Sequence, residues 1–284
     1  MRTTKLEKTN GFLAIDLDDA PLAVGVTRLA PKVLQDGAEL LARSITYSFA
    51  SYGLKLSGGS AGINAPPDAR DDALAAYVEE VTPLVAAGTW RTWAGTGLTD
   101  DELAAVSGDD AVSLVDHDLT GRAAVAAARA ALGSLATVAV AAAGPVADAA
   151  KAAAVAAGAT VVDGGPDTEA DALLVGGKSG VLDHDVAATV RAKTVVALSP
   201  VPVTAKAYAV LSRAGVVYVP DFLVLAAPLL AALDTDGGDP VERVSDAVAK
   251  VAPQGVDAWR AAVADAEAFL ATWQPALPYG RPLA

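Results

Sequence analysis

Residues 138–163 read VAVAAAGPVADAAKAAAVAAGATVVD. An apolar run breaks at Gly144–Pro145, an alanine- and valine-rich stretch with helical spacing follows to Gly158, and a second short apolar run ends at Asp163. Strand, turn, helix and strand in this order make the βαβ unit of a parallel sheet. In nucleotide-binding units of this kind the turn reads G-x-G-x-x-G/A, and an acid about 20 residues on meets the ribose hydroxyls. Ala142, Gly144 and Ala147 occupy the three glycine places here, and Asp163 is the acid. Ala147 suits the third place, which serves helix–strand packing, whereas Ala142 suits the first poorly if the turn needs positive φ there. Pro145 fits a first helical position but carries no N–H, so it deletes a donor from a helix end that would hold phosphate. Two readings stay open on the residues alone: a weakened dinucleotide site, or an ordinary α/β turn with Asp163 a solvated strand-end acid.

The rhythm continues on both sides of this unit. TGRAAVAAARAALG (120–133) is helical, and ADALLVGG, KTVVALS and GVVYVPDF are further short apolar runs with helical spacers. They predict a Rossmann-like, doubly wound parallel sheet over 113–230. Residues 1–112 read differently. GFLAIDLDDAPLAVGVTRLA has two apolar stretches around a turn-forming DLDDAP and predicts a β-hairpin. LQDGAELLARSITYSFASYG is helical through Leu40, Leu41, Ile45 and Phe49, and PDARDDALAAYVEEVTPLVAAG is a second helix with acids in its first turn. Thr99 and Glu102 stand in capping-box spacing. The expected fold class is α/β, with an N-terminal α/β substrate and assembly domain (1–112) before the Rossmann-like domain. Two closing helices in 231–284 are expected to pack back on the first domain.

Composition narrows the function. The chain has 284 residues, 53% of them hydrophobic, enough for a large core and two domains. It has no cysteine, which excludes disulfides, thiol nucleophiles and zinc-thiolate sites. Neither a membrane span nor a signal peptide is evident, so a cytoplasmic protein is expected. The net charge is −13, with 26 Asp against 8 Glu and only 9 Lys. A field of that sign repels nucleic acid. Lysine scarcity beside abundant Asp points to a halophilic, salt-rich setting in which mobile ions screen self-repulsion, or more plainly to an acidic protein from an alanine-favouring genome.

A second stretch bears on function. LSGGSAGI (56–63) sets Gly58 and Gly59 between serines, a run that lets backbone turn tightly and approach a ligand. Ser57 and Ser60 do not form the G-x-S-x-G elbow of a serine nucleophile. His117 and His184 each sit between two aspartates, which reads as an acidic turn with a surface histidine rather than a metal site. Trp90 and Trp93 read as packing residues, and Arg28 as structural, or as facing a cleft or an adjoining subunit.

Taken in order, LARSITYSFASYGLKLSGGSAGI, TWAGTGLTDDELAAV, the βαβ unit and AGVVYVPDFLVLAAPLL resemble the Glu/Leu/Phe/Val amino-acid dehydrogenase family from about residue 12 to 230. The resemblance implies oxidative deamination of an amino acid with NAD or NADP, a substrate cleft between two domains, and a homo-oligomer joined through the first. It also shows what is missing. The family's carboxylate-gripping lysine, in a TYK-like segment, falls on Ser48, and its catalytic lysine after the glycine run falls on Ser60. The proton-handling aspartate falls on Gly95, and two asparagines fall on Val201 and Leu225. Serine supplies neither a cation nor a base at neutral pH, and losing one positioned acid–base group costs roughly 10²–10⁴ in rate. Lys55, five residues before Ser60, is a poor stand-in. The expected function is therefore a member degenerate for deamination that binds a small molecule, or regulates or assembles with an active relative. The alternatives are a divergent NAD(P)-dependent oxidoreductase and a purely structural partner.

Overall fold

The computed structural model describes residues 1–107, 115–234 and 237–284. The chain forms two compact units, Met1–Leu114 with Glu267–Pro282, and Val115–Ala266 with Leu283–Ala284.

The first unit is built on a mixed five-stranded sheet. Its strands are β1 (Arg2–Lys5), β2 (Gly11–Ile15), β3 (Ala23–Ala30), β4 (Ser57–Asn64) and β5 (Trp90–Ala94), joined through α1 (Gln35–Ser51), α2 (Arg70–Ala86) and the short α3 (Asp100–Leu103). The order is β1-β2-β4-β3-β5. The expected hairpin of β2 and β3 does not form, because β4 lies between them, antiparallel to β2 and parallel to β3. The apolar stretches around DLDDAP are strands as read. Both are buried, however, so each takes a partner on either side instead of pairing only with its neighbour in sequence.

Helix ends follow local rules. α1 runs into Gly53 at φ 76° and α2 into Gly88 at φ 68°, left-handed positions that glycine adopts without a Cβ penalty. Thr99 and Glu102 close a reciprocal capping box on α3. The core between the sheet and α2 gathers Leu13, Leu29, Ala61, Ile63, Tyr77, Val81 and Trp90. A buried relay crosses it, with Thr27 Oγ1 2.7 Å from both Tyr77 Oη and Thr92 Oγ1. Burial pushes the Tyr77 hydroxyl up to about 12.

The second unit is a doubly wound α/β layer. Its strands are all parallel, in the order β7-β6-β8-β9-β10. They are β6 (Thr137–Ala141), β7 (Thr160–Val162), β8 (Ala172–Val175), β9 (Thr194–Ala197) and β10 (Val217–Val219). The helices are α4 (His117–Leu132), α5 (Pro145–Ala156), α6 (His184–Ala187), α7 (Ala205–Arg213), α8 (Asp221–Val224), α9 (Ala226–Leu233), α10 (Pro240–Val251) and α11 (Ala258–Leu270), the last counted with the first unit from Glu267 on. The central strands β8 and β9 are buried throughout, as strands covered on both faces should be. The alanine-rich helices are packed elements: a Cβ on Gly121 of α4 would meet the α5 backbone at 2.7 Å, so the two helices touch through small residues.

The expected boundary at 112–113 lies outside the described residues. That at 230–231 falls inside α9, and the closing segments divide between the units. α10 packs on α4 and α9, whereas Glu267–Pro282 joins the first unit. Ala284 then hydrogen-bonds Ala205 and Val203 in the second.

Candidate functional site

The glycine run is the strand β4, not the tight turn expected of it. Gly58 and Gly59 both lie outside the left-handed region. Their lack of side chains serves packing. A Cβ on Gly58 would stand 1.9 Å from the Ala42 carbonyl of α1, and one on Gly59 would stand 2.3 Å from the Trp90 ring. Residues 58, 60 and 62 therefore face α1, and 59 and 61 face α2. Gly58 N donates to Thr46 Oγ1 at 2.9 Å, fixing α1 over the strand.

The two serines that the resemblance sets at the family's lysine places differ. Ser48, on α1, is buried and donates its hydroxyl to the Ser44 carbonyl one turn earlier, at 3.3 Å. Ser60 is fully buried, and its Oγ finds no hydrogen-bond partner among the described residues. Lys55 is exposed in the connection before β4.

Arg28 shares the face of Ser60. In the β3–β4 register Val26 stands opposite Ser60 and Arg28 opposite Gly62. Thr27 contacts Tyr77 on the α2 side, so its neighbours on β3 face the other way. Trp93 pairs with Val26 and lies on that face too, whereas Trp90 faces α2. Burial lowers the Arg28 pKa. Gly95 follows β5 and donates its N–H to the Thr27 carbonyl at 2.8 Å. A Cβ there would meet Arg28 Cγ at 2.9 Å and Val26 Cγ2 at 2.5 Å. An aspartate at 95 would thus lie against the arginine stem; glycine leaves Arg28 with no acid there.

In the second unit, β7 and β8 flank β6 on opposite sides, so the chain reverses its winding at β6/β8. Ligands of open α/β sheets bind at such a point. Gly144 caps α5 at φ 76°, and nothing lies within 4 Å of where its Cβ would be. Ala142 stays outside the positive-φ region, so the condition under which alanine would suit that place poorly does not arise. Ala147 is buried, and Asp163 is exposed just past the end of β7. Two features oppose a phosphate at this helix end. Pro145 lacks an N–H, and Asp148 puts an acid in the first turn, a feature legible in the sequence but not weighed.

The reading of the sequence also missed a buried carboxylate. Val201, at an expected asparagine place, is the one positive-φ residue other than glycine among the described residues, at φ 48°. A β-branched residue held there costs on the order of 1–3 kcal/mol. Asp221, fully buried at the start of α8, holds it by accepting from Val201 N at 2.9 Å, and Gly180 N donates to the Val201 carbonyl at 2.9 Å. Leu225, at the other asparagine place, joins α8 to α9.

Asp183, His184 and Asp185 cluster within 4.8 Å. Asp183 spends its carboxylate capping α6, accepting from Asp185 N and Val186 N, and the other two are exposed. His117 begins α4, next to the N-cap Asp116. A cavity of about 480 Å³ opens beside Leu13, Leu17, Leu84 and Trp90, on the α2 side of the sheet and away from Ser48 and Ser60. Among the described residues no helix is long and apolar enough to cross a membrane.

At the level of sequence, no family model and no curated protein matches. Solved structures do. The hetero-hexameric glutamate dehydrogenase of Thermus thermophilus in its Leu-bound form superposes with a TM-score of 0.74 at 22% identity, over 90% of this chain and 82% of that one. The L-tryptophan dehydrogenase of Nostoc punctiforme gives 0.71 at 20% identity, over 96% and 97%. The Plasmodium falciparum glutamate dehydrogenase gives 0.72 at 13% identity, over 93% and 79%. The chain has the α/β fold of these amino-acid dehydrogenases.

Proposed function

We propose that this chain is a member of the amino-acid dehydrogenase family that has given up oxidative deamination and acts as a ligand-binding subunit, assembled with copies of itself or with an active relative. One observation carries the reading: Ser48 and Ser60 stand where the resemblance sets the family's two lysines. The Ser48 hydroxyl turns back to its own helix, and the Ser60 hydroxyl is buried on the face of the sheet that also carries Arg28. An arginine stays protonated at neutral pH, so it has no lone pair with which to take up a proton and cannot serve as the base. The groups act as a unit, so their loss need not multiply, but even one costs roughly 10²–10⁴ in rate.

The relatives in structure support assembly and ligand binding as the retained roles. The Thermus protein is hetero-hexameric and holds Leu. A chain of this fold can thus sit beside an unlike one and carry an amino acid. The α5 end supports loss of the nucleotide, through Pro145 and Asp148. The aspartate excess supports a salt-rich cytoplasm as its setting.

The test is calorimetry of NADH and NADPH in molar KCl, with turnover of a panel of L-amino acids under NAD and NADP. We expect no saturation at millimolar nucleotide and no turnover. The double variant Ser48→Lys/Ser60→Lys should gain no more than a trace, because Gly95 and the α5 end are also altered. Micromolar nucleotide binding with steady turnover by the unaltered protein would overturn the reading in favour of a divergent NAD(P)-dependent oxidoreductase.

A further inference from the structure

We propose that the cavity on the α2 side of the first unit binds an apolar primary amine, with its hydrocarbon among Leu13, Ile15, Leu17 and Leu84 and its ammonium at the rim beside Glu80. The proposal rests on the ligand-binding part of the reading above and gives it a site. It is independent of the loss of deamination, since the cavity lies across the sheet from Ser48 and Ser60.

The cavity follows from how the sheet is covered. Five strands about 4.8 Å apart span roughly 19 Å, whereas one helix with its side chains is about 10–12 Å across. α2 packs on β4 and β5 and leaves a gap over the β1–β2 end. Strand alternation decides which side chains face that gap. Arg2 pairs with Ile15 and Thr4 with Leu13, so these four share one face, and Leu6 and Leu17 follow in step. Thr3 points the other way, to Glu39 of α1. Glu80, Val81 and Leu84, within one turn of α2, form the opposite wall, and Trp90 joins them. The space is about 480 Å³, inside the range of roughly 300–1,000 Å³ found for small-molecule sites. Leu6, Leu13, Leu17, Val81 and Trp90 are all buried, and walls of this kind favour hydrocarbon over water.

Charge at the rim selects the head group. Arg2 is already turned to Asp18, with Nε 3.3 Å from Oδ1. Lys8 is paired with Glu79. Glu80 accepts from Glu7 N at 2.7 Å and Lys8 N at 3.0 Å, and it has no cationic partner among the described residues. Two N–H groups leave about two of the four lone-pair sites of a carboxylate. A carboxylate head group would meet Asp18 and Glu80 in a chain of net charge −13, whereas an ammonium is drawn in by the same field. An apolar amine keeps its charge in water at the rim and its chain in the cavity, as long cationic side chains do on protein surfaces.

The experiment titrates the full-length protein with hexylamine, octylamine, 1-octanol and octanoate by calorimetry. We expect octylamine to bind one to one and about 10-fold more tightly than hexylamine, because two more methylenes leave water. Octanol should bind about 5-fold more weakly than octylamine, as loss of a half-exposed ion pair implies, and octanoate more weakly still. Glu80→Gln keeps an oxygen for the N–H groups; it should bring octylamine to the affinity of octanol and leave octanol unchanged. Thr4 is exposed on the edge strand, so Thr4→Trp should fill the mouth, abolish binding of all four and leave Tm unchanged. Binding that survives Thr4→Trp, or several octylamines per chain, overturns the site and leaves the ligand-binding reading standing. Octanoate equal to octylamine, or an amine preference untouched by Glu80→Gln, overturns the amine assignment. If Thr4→Trp instead breaks up an assembly seen by light scattering, a second copy covers the mouth and the proposal falls. No binding of any probe at millimolar concentration overturns the proposal alone. Turnover of amino acids with NAD or NADP, beside amine binding that Thr4→Trp abolishes, sinks only the earlier reading.

Discussion

Replacing Gly58 by alanine tests whether β4 is a packing strand or a ligand turn. The added Cβ would stand 1.9 Å from the Ala42 carbonyl, 2.6 Å from Thr46 N and 2.9 Å from Ile45 Cβ. Two of these three are backbone atoms inside a helix, and neither can rotate away. Ordinary contact needs about 3.5 Å, so α1 must move off the strand by something over an ångström. A gap of 0.5–1 Å already forfeits a quarter to a half of each contact well, and the displaced face carries Ala38, Ala42, Ile45 and Phe49. The Gly58–Thr46 hydrogen bond would stretch with it, at a further cost of about 1 kcal/mol. Overpacking of this kind costs about 1–3 kcal/mol where side chains can yield, and more here where backbone cannot. We expect Gly58→Ala to lose at least about 3 kcal/mol. Urea unfolding followed by tryptophan fluorescence reads it well, since Trp90, Trp93 and Trp273 all belong to the first unit. The matched control is Gly144→Ala, where space is open and only φ 76° opposes the change, at about 1–2 kcal/mol. A Gly58→Ala protein within about 0.5 kcal/mol of the original would refute the packing argument.

Two further outcomes are expected. Asp16 and Arg43 are a buried pair, with Arg43 also donating to the Tyr279 and Gly280 carbonyls. Asp16→Ala should cost about 3–5 kcal/mol, and adding Arg43→Met should recover part of it, so a double-mutant cycle showing simple additivity would count against the pair. The Asp171 carboxyl is held down to about 2 by Lys193, with help from the Ala136 and Thr137 N–H groups. A depressed carboxylate gives stability that is fully present above its unfolded pKa near 4 and is lost as pH falls through the folded value. The urea midpoint should therefore fall less between pH 5 and pH 3 in Lys193→Ala than in the original; equal falls would mean that the ion pair is not what holds the proton off.

Local rules carried far along this chain. Gly53, Gly88 and Gly133 end helices in the left-handed region where the sequence placed their ends, and Thr99 caps α3 as its spacing predicts. The βαβ unit around Gly144 was legible because strand, glycine and helix follow one another without interruption. Strand pairing was not. β2 and β3 read correctly as strands, but nothing local says that β4, more than 25 residues later, would come between them. The glycines at 58 and 59 misled for a related reason: the atoms that exclude a Cβ belong to Ala42 and Trp90, distant in sequence. At the candidate site, Ser48 and Ser60 could be singled out only through family resemblance, since serine has no periodicity. What distinguishes Arg28 is that its Nε and Nη2 have no hydrogen-bond partner among the described residues, which no run of residues displays.

The path of the chain through the first unit has a consequence in time. Arg43 waits for carbonyls 236 and 237 residues downstream. At about 5–20 residues per second of synthesis, that interval is on the order of 10–50 s. Every strand of the second unit has by then left the ribosome. The unit whose strands are made first thus waits for almost the whole chain, and a premature stop shortly before residue 279 would take two partners from Arg43 near its beginning.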